Sequence, residues 1–290
     1  MDTERTYGEI ASQAREALQS VDRVPGARKP DPILTADNIR REFGGIVAVD
    51  VDHFEVQKGS ITALIGPNGA GKTTFFNLLT GFDQPNSGQW NFNGKEMNGV
   101  ASHRTAALGM VRTFQLTKSL TKLSVMENMR LGATDQKGEK WWNGLFAAVW
   151  KGQEAEITQR ADELLARFKM DHMRDEYAGS LSGGQRKLLE MARALMTNPT
   201  LVMLDEPMAG VNPALKQSLN QHIRGLRDDG MTVLFVEHDM DMVHDVSDWV
   251  IVMAEGRIIA EGTPDDISSN PAVIDAYLGT RQGQSLLEGE

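Results

Sequence analysis

A glycine-rich run, Gly66-Pro67-Asn68-Gly69-Ala70-Gly71-Lys72-Thr73, constrains the fold of this chain more than any other feature. It has the phosphate-loop pattern G-x-x-x-x-G-K-T, which lies between a buried strand and a helix. The apolar run 61–65 predicts that strand, and residues 74–79 predict the start of the helix. In such a loop the backbone N–H groups surround phosphates, Lys72 reaches the β and γ oxygens, and the Thr73 hydroxyl ligates Mg²⁺. The pattern therefore predicts a nucleotide phosphate site at a helix N-terminus.

Further short apolar runs predict strands on both sides of this loop. They are 46–49, 53–56, 89–92, 201–204, 232–236 and 250–253. The last three are continuously apolar, which suits parallel strands that are covered on both faces. Between about Phe92 and Ala178 the pattern is mostly helical. We therefore expect an α/β fold with a parallel core and a mostly helical insertion between its two halves.

Composition narrows the class of protein. The 290 residues include no cysteine, which excludes disulfides and thiolate metal sites. The formal net charge of −10 argues against nucleic acid as the main partner. No apolar stretch approaches the length that crosses a bilayer, and residues 1–5 lack the features of a signal peptide. We expect a protein that is not exported and that associates with a membrane only through a partner.

Residues 1–30 are expected to form an N-terminal extension and linker, separate from a domain that spans residues 31–290. Apolar residues recur at helical spacing from Ile10 to Val21, and Pro25, Gly26 and Pro30 then interrupt the pattern. A short amphipathic helix followed by a linker and a flexible tail both fit this pattern.

Polar residues that follow or interrupt the apolar runs are candidate catalytic groups. Asp205 and Glu206 follow a run directly, where a carboxylate can hold Mg²⁺ through its water shell and Glu206 can orient or deprotonate an attacking water. His238 follows the next run, on the same expected sheet edge, and is a candidate sensor of the γ-phosphate. Gln115, which opens the helical insertion, is a candidate to contact Mg²⁺ or the water.

A second motif, Leu181-Ser182-Gly183-Gly184-Gln185, adds an expected anion site. A serine hydroxyl and unhindered N–H groups at a helix start bind anions, although Ser182 would also suit an ordinary helix N-cap. Together with the phosphate loop and the Asp205-Glu206 pair, this motif resembles the ATP-binding cassette (ABC) transporter family, over about residues 33–281. The resemblance implies the P-loop ABC ATPase fold, with a parallel sheet core, an antiparallel β-subdomain and a helical subdomain at about residues 116–185.

The resemblance also implies a role for each motif. Glu206, His238 and Gln115 match the catalytic glutamate, the switch histidine and the Q-loop of that family. Thr73, Gln115 and Asp205 are the implied Mg²⁺ ligands. The implied ATP-binding residues are Phe43, whose ring would stack on adenine, then Gly66, Asn68, Gly69, Ala70, Gly71, Lys72, Thr73 and Thr74 of the Walker A loop, and the signature residues Ser182, Gly183, Gly184 and Gln185. In that family two cassettes pair head to tail, so the signature residues serve the ATP that the facing chain holds.

Several pieces narrow the resemblance to the ATP-binding subunit of branched-chain amino-acid importers. They are Phe43-Gly44-Gly45, Arg112-Thr113-Phe114-Gln115, Asn212-Pro213 in place of the Asp that usually ends this loop, a long insertion at 138–154, and the tail 260–279. A urea importer, a lipopolysaccharide-export ATPase and a soluble ABC ATPase outside transport are the alternatives.

Partners and location follow from the same resemblance. It implies ATP and Mg²⁺ as cofactors and a second ABC ATPase subunit, identical or paralogous, in a head-to-tail dimer. It further implies two integral membrane permease subunits, a solute-binding protein that acts indirectly, and a peripheral position on the cytoplasmic face of the cell membrane.

A bulky apolar stripe in the insertion admits two interpretations. Its members recur at helical spacing and are Trp141, Trp142, Leu145, Phe146, Val149 and Trp150. The stripe forms either a surface near the bilayer or permease, because Trp favours interfaces, or a packing face against the helical subdomain.

Overall fold

Most of the apolar runs become strands of one six-stranded sheet. The computed structural model describes residues 2–113, 121–133 and 147–278. The strands of this sheet are β3 (Ile61–Ile65), β6 (Met110–Arg112), β7 (Leu201–Asp205), β8 (Thr232–Val236), β9 (Trp249–Ala254) and β10 (Arg257–Gly262). Their order is β10-β9-β3-β8-β7-β6, and every neighbouring pair is parallel except β9 with β10. The phosphate loop therefore leaves the middle of the sheet.

A second sheet is antiparallel throughout. Its strands are β1 (Pro32–Phe43), β2 (Ile46–Gln57), β4 (Ser87–Phe92) and β5 (Lys95–Glu96), in the order β2-β1-β4-β5. The runs 46–49 and 53–56 belong to a single strand, β2. Gly44 and Gly45 both have positive φ angles, of 55° and 86°, and these let the chain turn back tightly from β1 into β2.

The expectation of a mostly helical segment after Phe92 is wrong at β5 and β6. These strands have two and three residues, too few for a periodic pattern to appear in the sequence. The strand β6 forms because it pairs in parallel with β7, Met110 opposite Leu201 and Arg112 opposite Met203.

Helices surround the two sheets. They are α1 (Asp2–Gln19), α2 (Lys72–Leu79), α3 (Ser102–Ala107), α4 (Val125–Leu131), α5 (Ala147–Arg167), α6 (Gly183–Ala194), α7 (Pro213–Asp228), α8 (Met240–Val246) and α9 (Pro264–Ser268). Residues 271–278 are also helical. The chain between β6 and β7 contributes α4, α5 and α6, which pack on one another and on one face of the parallel sheet.

Alternate residues of the parallel strands enter two separate cores. Ala63 and Leu204 pack with the helices α4 to α8, whereas Leu64 and Met203 pack with α2 and the antiparallel sheet. This alternation follows from the period of two in a strand, and it produces three layers around a sheet that is buried on both faces. The predicted α/β fold, with a parallel core and an antiparallel β part, is confirmed.

The N-terminal segment packs against the rest of the chain. Ala14 and Leu18 on α1 are buried, and the side chain of Ile10 lies against Gly59, where a Cβ would come within 2.6 Å of Ile10 Cγ2. After the helix, the buried Lys29 forms an ion pair with Glu261 of β10. Of the two interpretations left open by the sequence, the helix agrees with the structure for the described residues.

Part of the apolar stripe cannot be placed. Trp141, Trp142, Leu145 and Phe146 lie outside the described residues, and Val149 and Trp150 belong to α5. Both interpretations of the stripe stay predictions. Among the helices in the described part of the chain, none is long and apolar enough to cross a membrane.

Candidate functional site

The phosphate loop joins the carboxyl end of β3 to α2, and its fold dictates two of its glycines. A Cβ at Gly66 would lie 2.0 Å from the Met253 carbonyl oxygen, and a Cβ at Gly71 would lie 2.4 Å from the Ala48 carbonyl oxygen. Both positions also have positive φ, 150° and 94°. Only glycine satisfies both constraints, so the sequence pattern has a steric cause.

Backbone donors are concentrated in this loop. The helix α2 has no side-chain N-cap at Gly71. Within the described residues, the amides of Asn68, Gly69, Gly71, Lys72 and Thr73 donate to no other protein group. Such donors at a helix start form a cradle for phosphate oxygens.

The Lys72 ammonium lies inside the same loop. Its Nζ donates hydrogen bonds to the carbonyl oxygens of Gly66 at 2.6 Å and Pro67 at 2.9 Å. Burial lowers the pKa of Lys72, and the negative charge of Glu206 opposes that shift. The positive charge of Lys72 therefore interacts with the carboxylate of Glu206, which follows β7. This interaction links the two motifs electrostatically.

Asp205 and Glu206 lie two strands away from the loop, at the same edge of the sheet. Asp205 pairs with Val236 of β8, and the Glu206 amide donates to the Val236 carbonyl oxygen at 3.0 Å. Glu206 is exposed and has a φ of 46°, a left-handed conformation that is uncommon for a residue with a side chain. Such conformations concentrate at functional sites, where the surrounding structure maintains the strain.

The Asp205 carboxylate has a partner that sequence reasoning missed. The guanidinium of Arg112, at the end of β6, donates to Asp205 Oδ2 at 2.5 Å and to Asn77 Oδ1 at 2.6 Å. No sequence pattern near either residue predicts this contact, because Arg112 and Asp205 are 93 positions apart. The only available signal was that β6 and β7 would end at the same edge, and β6 was too short to be predicted.

His238 follows β8, between the phosphate loop and Asp205. Its side chain is 67% exposed, whereas that of the preceding Glu237 is fully buried. Glu237 accepts hydrogen bonds from the amides of Met208, His238 and Asp239. This carboxylate, which sequence reasoning also missed, fixes the loop after Glu206 to the loop that carries His238.

The second motif begins α6 with a capping box. The Ser182 Oγ accepts from the Gln185 amide at 3.3 Å, and the Gln185 side chain accepts from the Ser182 amide at 2.8 Å. The N-cap function that the sequence left open is therefore present. Because a hydroxyl can accept and donate together, Ser182 keeps its proton for a further acceptor.

The two glycines of this motif differ. A Cβ on Gly184 would lie 1.7 Å from Leu215 Cδ2, so packing within the chain requires a glycine there. A Cβ on Gly183 would come no closer than 3.7 Å to its nearest neighbour, the Gly210 carbonyl oxygen, and Gly183 is exposed. Packing within the described residues thus gives no reason for a glycine at position 183.

The remaining candidates are placed only in part. Gln115 lies outside the described residues, and Thr73 is exposed at the second position of α2. Phe43 is 48% exposed, with the guanidinium carbon of Arg41 4.5 Å from its ring centre. No group of three or more His, Asp or Glu side chains in the described part of the chain could hold a metal ion. Thr73 and Asp205 would hold Mg²⁺ only together with phosphate and water oxygens, which is the usual arrangement for this ion.

Comparison with known sequences gives a consistent family. The profile described as ABC transporter matches residues 49–209, and the profile described as branched-chain amino acid ATP-binding cassette transporter matches residues 257–282.

Individual relatives and a solved structure agree with the profiles. A probable branched-chain amino acid transport ATP-binding protein, LivG of Archaeoglobus fulgidus, is 42% identical over 252 residues, 87% of this chain and 97% of the relative. The high-affinity branched-chain amino acid transport ATP-binding protein BraF of Pseudomonas aeruginosa is 39% identical over 86% of this chain and 98% of its own length. The crystal structure of a nucleotide-free ATP-binding cassette from an ABC transporter superposes with a TM-score of 0.75 at 39% identity, over 85% of this chain and 98% of that one.

Proposed function

This chain belongs to the ABC transporter family of ATP-binding cassettes, and on that premise we propose that it is the ATP-hydrolysing subunit of an importer for branched-chain amino acids. The observation that carries the ATPase assignment is geometric. The phosphate loop, Asp205 and His238 lie at the carboxyl ends of three adjacent parallel strands, β3, β7 and β8, and therefore meet at one sheet edge. Ligands of open parallel sheets bind at the carboxyl ends of the strands.

The roles of the residues follow from their chemistry. The loop amides and the Lys72 ammonium bind the phosphates, and Lys72 neutralises the charge that develops on the β and γ oxygens. Thr73 and Asp205 would hold Mg²⁺, which supplies further positive charge when it is bound. Glu206 orients the attacking water and accepts its proton. His238, exposed beside this group, contacts the γ-phosphate.

We propose that the signature residues of this chain contact the ATP that a facing cassette holds. Gly183 is free of contacts that would require a glycine, so its lack of a side chain serves something outside the described part of the chain. A nucleotide phosphate in close approach to the backbone supplies such a reason, and the free proton of Ser182 suits the same acceptor. Two cassettes bridged by ATP would close on binding and reopen after hydrolysis, a switch driven by γ-phosphate contacts.

Transport requires separate membrane subunits in this proposal. Two permease chains would bind the cassette pair at the cytoplasmic face of the membrane, near the segment that contains Gln115 and the insertion. A solute-binding protein would deliver the amino acid and would contact this chain only indirectly.

The choice of solute rests on kinship. The relatives named above are described as branched-chain amino acid transport proteins, and the match at residues 257–282 belongs to the same group. These findings favour branched-chain amino acids over urea, lipopolysaccharide export or a soluble role.

Uptake of radiolabelled leucine in a strain that lacks this protein tests the proposal. We expect lost uptake, restored by the parent chain and not by Glu206→Gln. Normal leucine uptake together with lost urea uptake would overturn the choice of solute and leave the ATPase assignment intact. Unimpaired transport of both, with no ATP hydrolysis by the purified chain, would overturn the whole proposal.

A further inference from the structure

The side chain of Arg112 is 6% exposed and forms the centre of a buried polar cluster. Its Nη2 donates to Asp205 Oδ2 at 2.5 Å, and its Nη1 donates to Asn77 Oδ1 at 2.6 Å and to Thr80 Oγ1 at 3.4 Å. The guanidinium also lies 5.5 Å from the ring centre of Phe76. Contacts on several sides hold the planar group in one orientation.

Three functional segments meet at this guanidinium. Asn77 and Thr80 lie at the end of α2, the helix that begins with Lys72 of the phosphate loop. Asp205 ends β7, immediately before Glu206. Arg112 is the last residue of β6 and precedes Gln115 by three positions. One side chain therefore connects the phosphate helix, the acidic strand end and the strand that leads to the insertion.

The bond to Asp205 also restricts that carboxylate chemically. Asp205 has an exposed fraction of 29%, so its two oxygens lie at the boundary between protein and solvent. The guanidinium fork donates to Oδ2 through Nη2 alone, while Nη1 is held by Asn77 and Thr80. This anchored donor orients the carboxylate and leaves Oδ1 as its second acceptor. A carboxylate that holds a metal through water needs this kind of support, because its orientation decides where the water shell sits.

We propose that Arg112 is a positioning residue for the metal site, acting through Asp205. This proposal rests on the proposed function, because it takes Asp205 as a residue that would hold Mg²⁺. Arg112 holds the Asp205 carboxylate in register with α2, so that the metal site and the phosphate loop keep a fixed relation. A purely structural ion pair would stabilise the fold and leave the metal dependence of nucleotide binding unchanged, and this difference makes the proposal testable.

The experiment measures ATP affinity of the purified chain by calorimetry, with excess Mg²⁺ and with a chelator. For Arg112→Met we expect ATP affinity in chelator to stay within about twofold of the parent. We expect the additional affinity that Mg²⁺ gives to fall by about 10-fold to 100-fold, the range for loss of a residue that supports a metal ligand. Arg112→Lys keeps the charge and loses the fork, so it should fall between the parent and Arg112→Met.

Arg227→Lys is the matched control. Arg227 donates to Asp248 at 2.8 Å in another buried Arg–Asp pair, and Asp248 accepts from the Ile61 amide at the opposite end of β3. This variant should lose stability without any change in the effect of Mg²⁺.

The outcomes separate the proposal from its premise. Equal Mg²⁺ effects in folded Arg112→Met, Arg112→Lys and parent chains would overturn the proposal. A parent chain that binds no ATP under either condition would overturn the proposed function instead. If Arg112→Met does not fold, as judged by its thermal unfolding, the comparison of Arg112→Lys with Arg227→Lys decides.

Discussion

The Lys187 ammonium donates a hydrogen bond to the backbone carbonyl oxygen of Glu206, 3.3 Å away. Lys187 lies one turn into α6, the helix that Ser182 caps, and Glu206 has the left-handed backbone at the end of β7. The contact therefore ties α6 to the backbone of the proposed catalytic residue within one chain. In the proposed pair of cassettes, a displacement of α6 would act on the backbone of Glu206 directly, which is the local change that a switch of this kind requires.

Glu206→Gln should keep ATP binding and lose most of the turnover. The amide can still accept a hydrogen bond from the water, but it cannot take the proton, and loss of a general base costs on the order of 10²-fold to 10⁴-fold in rate. Size-exclusion chromatography with ATP should show more dimer than for the parent, because the closed pair is not released. Glu96→Gln, an exposed carboxylate on β5, is the control and should hydrolyse ATP like the parent. Parent-like turnover of the Glu206 variant would mean that the base is another group.

Glu190→Gln should change how stability depends on pH. Burial raises the pKa of Glu190 to about 7, Lys187 and Arg193 oppose the shift, and Asp205 adds to it. Because the folded protein holds this proton more tightly than the unfolded chain, the contribution to stability is complete below about pH 4.5 and is lost as the pH rises through 7.

The measurement is the Tm of parent and Glu190→Gln at pH 5 and pH 8.5. The side chain at position 190 is uncharged in the variant at both pH values. The variant should therefore lose less stability between pH 5 and pH 8.5 than the parent does. Glu163→Gln on the exposed side of α5 should follow the parent. An identical decrease in parent and Glu190→Gln would show that this carboxyl does not carry the pH dependence.

Patterns confined to short windows predicted most of the central sheet. The phosphate loop is one continuous run, and the strands β7, β8 and β9 are unbroken apolar runs because both of their faces are buried. The helix cap at Ser182 is equally local, since its partner Gln185 is three residues away.

Contacts between segments that are distant in the chain could not be predicted from the sequence. Arg112 and Asp205 are brought together only by the pairing of β6 with β7, and β6 has three residues. The reason for Gly184 is also non-local, because it is the side chain of Leu215 on α7 that excludes a Cβ. In the sequence the two glycines of the motif carry the same expectation, whereas the structure gives them different constraints.

Lys29→Met should destabilise the chain strongly. Lys29 and Glu261 are paired with side chains that are each 1% exposed, and Glu261 also accepts from Trp249 Nε1 at 2.8 Å and the Ala27 amide at 2.6 Å. Removing the lysine leaves a buried carboxylate without its counter-charge, which costs about 3–5 kcal/mol. Urea unfolding should show this as a lower midpoint. Arg174→Met, which breaks an exposed pair with Asp162, should cost less than about 1 kcal/mol. Equal losses from the two variants would contradict the burial of the Lys29 pair.

The two signature glycines should respond differently to substitution by alanine. Gly184→Ala should lower the Tm, because its Cβ would lie 1.7 Å from Leu215 Cδ2 and 3.1 Å from Cγ, and adding Leu215→Ala should relieve the clash and recover part of the loss. Gly183→Ala has room for its methyl group and replaces glycine in a helix, so its Tm should stay level or rise. In the proposed pair, the same methyl group would stand where a phosphate of the ATP on the facing cassette approaches the backbone. We therefore expect Gly183→Ala to bind ATP normally as an isolated chain and to lose ATPase turnover in the assembled pair. A folded Gly183→Ala pair with parent turnover would remove the main support for a site shared between two chains.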